Sequence, residues 1–207
     1  MTTWTCKGPL VALSLVFLSA CEGIEGFEGL GGTPAPPLTQ AKMANGAVTL
    51  VAPVGFCIDK RSLEPRFALM APCDALGAPD AALGAPPSLM TVSLSSSPAG
   101  AALPAPEETA RAASLVRVER ARQTANDVIF RAQGPTPLEE MSPVQWRGTS
   151  RIGPLVAGIA LYGPPDGRAI SNEGRDIMFS LIQRSNALTN AIPLNSPATR
   201  SNANSFE

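Results

Sequence analysis

Few side chains in this 207-residue sequence could do chemistry, because it contains no histidine. That excludes a Ser-His-Asp or Cys-His nucleophile, a His-ligated zinc site and an imidazole proton shuttle. No GxxxxGK or GxGxxG loop is present to cradle phosphates. Carboxylates, one Ser-Lys pair, thiols and arginines remain. Lys60 and Ser62 are close in sequence, but two residues apart on an extended chain they point the same way without touching. Glu139 and Glu140 read as solvated loop residues, and Asp166-Gly167, after two prolines, as a turn before a calcium ligand. Arg147 and Arg151 would stand about 13 Å apart along a strand, at roughly 3.3 Å per residue, beside Gln145 and Thr149. Left uncovered by a helix, that row suits an anionic partner, such as a glycan, a lipid headgroup or an acidic protein. The competing reading is a solvated sheet face. No cofactor and no metal is expected.

Cysteine chemistry gives the sharper signal. A polar start with one positive charge, Lys7, leads into an uncharged apolar run from Gly8 to Ala20. The run is too short to span a bilayer, which takes about 20 residues, and fits the core of a secretory signal. It closes on Leu18-Ser19-Ala20-Cys21. These four residues resemble the lipobox of bacterial lipoproteins, in which diacylglycerol is placed on the cysteine sulfur and the chain is cut before it. The resemblance implies lipidation of Cys21, a signal peptide over 1–20 and residence in the cell envelope through acyl chains. One chain holds only marginally and two or more hold stably. An ordinary secreted protein with a chance cysteine at its cleavage site is the alternative. Glu22 stands where many bacteria use Asp for inner-membrane retention, which points to the periplasmic face of the outer membrane.

Cys6 would leave with the leader, so Cys57 and Cys73 are left over. In an oxidising compartment such a pair is expected to form a disulfide; two separate buried thiols are the other reading.

Removing Lys7 leaves 15 basic against 17 acidic groups, with no basic field for nucleic acid. Residues 21–45, rich in Gly and Pro and carrying a threefold Glu-Gly-x repeat from Glu22 to Leu30, read as a tether. Residues 46–192 read as one folded domain, and the Asn- and Ser-rich stretch 193–207 as a disordered tail.

Within the domain, 46–53 reads as a strand, Val54–Pro65 as a loop, and 66–73 as a second strand or short helix-like run. Residues 86–96 alternate as a strand with one wet face. Pro106, with Glu107 and Glu108 behind it, opens a short helix. Then come four strands. The first would set Ser114, Val116 and Val118 against Leu115, Arg117 and Glu119. The second is 127–133, the third places Val144, Trp146, Gly148, Ser150 and Ile152 on one face, and the fourth is 155–163. A closing helix, Asn172–Ala191, is capped by Ser171 or Asn172 and carries Ile177, Met178, Leu181, Ile182 and Leu188 as its apolar stripe.

Short connections demand antiparallel pairing, so the fold class expected is α+β: an antiparallel sheet with helices packed on it. The Gly55–Asp59 segment GFCID is similar to that of a group of secreted alphaproteobacterial proteins. The element order is similar to that of the extrinsic photosystem II subunit P. The function expected is non-enzymatic partner binding by a lipid-anchored envelope protein. A small-ligand-binding lipoprotein and a carboxylate-dependent hydrolase are the alternatives.

Overall fold

The structure, a computed structural model, describes residues 37–98 and 100–191. The lipobox with Cys21, the Glu-Gly-x repeat and the tail 193–207 lie outside the described residues.

Among the described residues, nine strands and two α-helices run in the order β1 (Gln40–Met43), β2 (Val48–Val51), β3 (Phe56–Ile58), β4 (Phe67–Pro72), β5 (Leu89–Ser95), α1 (Pro106–Ala112), β6 (Val116–Gln123), β7 (Asp127–Gln133), β8 (Val144–Ile152), β9 (Leu155–Tyr162) and α2 (Asn172–Ala191). Seven strands form one antiparallel sheet in the order β3-β4-β5-β9-β8-β7-β6, while β1 and β2 pair separately. The expected α+β class, with helices packed on an antiparallel sheet, is what the chain adopts.

The folded region starts earlier than 46. Gln40–Met43 alternates exposed and buried, sinking Ala41 and Met43, and pairs with β2 across a turn containing Asn45-Gly46. Asn45 and Gly46 both have positive φ, the conformation these two residues favour in tight hairpins. Likewise the expected loop Val54–Pro65 contains β3, because Phe56, Cys57 and Ile58 form a fully buried apolar run. Residues 67–72 are a strand rather than a helix-like run.

Helix α2 and the β1–β2 hairpin share one face of the sheet. Trp146 and Ile152 of β8 and Leu161 of β9 meet Met178 and Leu181 there in a core with almost no exposed surface. The Trp146 indole N–H donates to the Ser171 carbonyl at 2.7 Å, satisfying its one polar atom as it buries. The Ser171 hydroxyl accepts from the Glu173 amide at 3.2 Å, closing the start of α2 as expected. The buried stripe is Gly174, Met178, Leu181, Ile182 and Ser185. Ile177 is half-buried and packs at the margin of the same core, as expected, whereas Leu188 is 40% exposed and lies outside it. The stripe is turned because α2 must also meet β2, which places Ser185 and Thr189 inward. Their hydroxyls accept from the amides of Val51 and Thr49, each at 3.0 Å.

The other face is built by a crossing. Between β5 and β6, residues 100–105 and α1 lie over the sheet and bring the chain to the far edge, where β6 begins. Leu103, Ala110 and Leu115 along this path cover Val128, Phe130, Ala132 and Val156.

Candidate functional site

The crossing covers only part of its face. Over β4 and β5, Phe67, Leu69, Leu89 and Thr91 are half-buried, and Ser93 and Ser95 are exposed. Where covered and uncovered halves meet, a cleft of about 400 Å³ opens. Ser93, Ser95, Thr149 and Gly158 line it from the sheet, Leu103 and Pro104 from the crossing, and Glu108 and Thr109 from α1. On the sheet side Ser93 is paired with Gly158, which brings no side chain to the floor. Ser93 and Ser95 direct their hydroxyls to the carbonyls of Gly158 and Val156, both at 3.3 Å. A hydroxyl donating to a carbonyl is not being deprotonated, so neither serine is set up as a nucleophile. Glu108 accepts from the Ala105 amide at 3.0 Å, holding the helix start. The Thr109 hydroxyl is buried without a partner among the described residues. The cleft thus offers hydroxyls and apolar walls, which suits binding.

Arg147 and Arg151 lie on the face that carries the crossing. The Arg147 guanidinium sits 5.2 Å from the Tyr162 ring centre and donates to its hydroxyl at 3.0 Å, while its Nε is buried and unpaired among the described residues. Arg151 donates to the Ala101 carbonyl. Both side chains are half-buried, and Gln145 and Thr149 beside them are buried. The row is not an open one, because Arg151 is engaged by residue 101 of the crossing and Arg147 by Tyr162.

The other chemical candidates are structural. The Ser62 hydroxyl donates to the Asp59 carbonyl at 2.9 Å and accepts from the Leu69 amide at 3.0 Å, so it braces a turn instead of pairing with Lys60. Glu139 and Glu140 are exposed, and Asp166 sits in a left-handed turn with φ 58°. Cys57 and Cys73 are joined by a disulfide and buried beside Ala82, which ties edge strand β3 to the end of β4. Among the described residues no group of three or more His, Cys, Asp or Glu is placed to hold a metal ion, and no helix is long and apolar enough to cross a membrane.

The sequence reading overlooked the outer edge of the sheet. Strand β6 does not alternate. Val116, Glu119 and Arg122 pair in turn with Gln133, Arg131 and Ile129, so β6 spends three residues for every two of β7. Two bulges absorb the excess, and at each an arginine, Arg117 or Arg120, takes a left-handed backbone with φ 54° or 52°. Val116, Glu119 and Arg122 therefore share a face, where Val116 was expected opposite Glu119. Glu119 pairs with Arg131 at 2.8 Å. Its carboxyl is held below the usual range by that hydrogen bond and charge first, and also by the charges of Arg120 and Arg117. Asp59 is likewise held low by its hydrogen bonds to Arg61. Both shifts favour the ionised form, the opposite of what a general acid needs. The available signal was the spacing Arg117, Arg120, Arg122 within an eight-residue strand.

No protein-family model matches the chain, and no curated protein matches it. Solved structures similar to the chain include two of the same kind. A point mutant of protein Mog1 is 12% identical, with a TM-score of 0.46, covering 72% of this chain and 97% of that one. The Saccharomyces cerevisiae Ran-binding protein Mog1p is 12% identical, with a TM-score of 0.44, covering 70% and 92%. A likeness at this level assigns neither partner nor activity.

Proposed function

We propose that this chain is a lipid-anchored envelope protein, held by acyl chains on Cys21 at the periplasmic face of the outer membrane, whose domain binds a protein partner without catalysis. Support for the address comes from the Leu18-Ser19-Ala20-Cys21 motif together with the Cys57–Cys73 disulfide, a bond that persists in oxidising compartments. The observation that carries the binding reading is the asymmetry of the sheet. One face is sealed by α2 and the β1–β2 hairpin, while the other leaves Phe67, Leu69 and Leu89 half-buried beside the serine-lined cleft. Half-covered apolar side chains on a rigid sheet are what a partner surface completes.

Two measurements test this. Cys21→Ser is expected to move the protein from the membrane to the soluble envelope fraction; unchanged fractionation contradicts lipidation. A photo-crosslinking residue at Leu69, with Lys42 on β1 as the control position, is expected to give one discrete protein adduct at Leu69 alone. A small molecule copurifying with the domain, with no adduct at Leu69, transfers the reading to a ligand held in the cleft. The apolar walls of the cleft, Leu103, Pro104 and Val156, are the feature that favours this second reading.

A further inference from the structure

The β6 edge carries three arginines against one glutamate over Val116–Gln123. Among the described residues that edge has no strand beyond it in the sheet. Its cations are not spent on carboxylates: Arg120 donates to the Asn172 side-chain carbonyl, and Arg122 lies 5.5 Å from the Phe179 ring centre. Arg117 has no carboxylate partner among the described residues; Glu119 is taken by Arg131. Val116, 60% exposed, is one of the few large apolar side chains left in solvent, and it belongs to the same strand.

Charge on an edge strand ordinarily guards against edge-to-edge pairing, and lysine on an extended backbone does that well. This edge does something costlier. Arg117 and Arg120 occupy the left-handed region, where glycine or asparagine sits without strain and arginine does not. Arginine in a strained backbone region is a pointer to what its side chain presents. The bulges also interrupt the regular ladder that an extended acidic peptide would extend, so the edge is poorly suited to strand addition. Guanidinium forks match phosphate oxygens in pairs, and an exposed apolar residue among them matches a lipid interface.

We infer that the bulged edge, Arg117, Arg120 and Arg122 with Val116, is a docking surface for a membrane bearing anionic phosphate headgroups. This rests on the membrane residence proposed above: acyl chains hold the protein at the bilayer, and the edge sets which side of the domain faces it, leaving the half-covered sheet face for the partner. Each arginine brought to an anionic surface raises partitioning about fivefold.

The test uses the full chain with Cys21→Ser, so that lipidation plays no part and its failure is scored separately by fractionation. Sedimentation with phosphatidylcholine vesicles containing phosphatidylglycerol is expected to retain the protein, with binding that weakens as salt rises, and pure phosphatidylcholine vesicles to leave it free. The double variant R117G/R120G is expected to bind the anionic vesicles about 25-fold more weakly while melting no lower than the parent, since glycine relaxes both bulges. K60A/R66A, which removes the same charge from the loop between β3 and β4, is expected to bind as the parent does. Equal retention by both vesicle types, unchanged binding of R117G/R120G, or an equal loss in K60A/R66A each overturns the inference. So does binding to immobilised polyglutamate with no retention on phosphate-bearing vesicles, which would make the partner an acidic protein.

Discussion

Gly174 shows how closely single atoms fix the α2 face. A Cβ built there would stand 1.9 Å from the Ala169 carbonyl oxygen and 2.6 Å from Cδ1 of Trp146. The first neighbour is backbone and the second belongs to a fully buried ring held by its bond to Ser171. Neither can withdraw without unseating the start of α2. Alanine is favoured over glycine inside a helix by about 1 kcal/mol, so Gly174→Ala would stabilise α2 if propensity decided. Overpacking typically costs about 1–3 kcal/mol, and the backbone oxygen places this site at the upper end. G174A is therefore expected to lower the urea midpoint, and a midpoint equal to or above the parent's would show that Trp146 can move. Residue-scale facts of this kind are hidden from sequence, where Gly174 is merely a poor helix former. The arginines of β6 are hidden for a related reason: nothing in VRVERARQ states that the backbone will turn left-handed at the second and fifth positions.

At the scale of elements, strand β2 is half of a hairpin whose free edge would leave amides bare. Helix α2 covers that edge with hydroxyls, as Ser185 and Thr189 accept from Val51 and Thr49. Ser185 is fully buried, so Ser185→Ala strands the Val51 amide away from water. An unmet buried donor costs about 1–3 kcal/mol, against a small gain in helix propensity. Thr189 is half-buried, and water can replace its hydroxyl. S185A is expected to destabilise the domain more than T189A in urea titration, and the reverse order would mean that the β2 edge is already hydrated. The elements were largely legible. Alternation in β7, β8 and β9 matches the structure because successive side chains go to opposite faces with different surroundings, Ile129, Trp146 and Leu161 under α2 and Val128, Phe130 and Val156 under the crossing, and pairing through short connections left only an antiparallel sheet. Legibility failed where period two or 3.6 was overridden: by bulges in β6, by the second partner of α2, and in β3, too short to show a period. The N-terminal boundary was missed although Asn45-Gly46 announced a hairpin. The cleft could not have been read, since its wall is a crossing whose path depends on β6 pairing at the far edge.

The molecule as a whole has a seam. Strands β3, β4 and β5 follow one another in sequence and in space, as do β6 through β9, and the two runs join only where β5 pairs with β9. The disulfide lies wholly within the first run, 16 residues apart in sequence, and closes a loop worth about 3 kcal/mol in the chain-entropy model. Whether that constraint reaches the rest of the chain depends on whether the seam transmits. The packing says that it does: Met70 and Met90 of the first run belong to the same buried cluster as Trp146, Met178 and Leu181. Losing β3–β5 would open that cluster to water, so the runs should unfold together. Replacing both cysteines by serine is accordingly expected to lower one cooperative melting transition by about 6–12 °C, at roughly 2–4 °C per kcal/mol for a domain of this size. The denaturant slope should rise modestly as the unfolded chain, no longer crosslinked, expands. A melt that splits in two, with the upper transition unmoved, would show instead that β6–β9 and α2 stand without β3–β5 and that the seam is a true boundary.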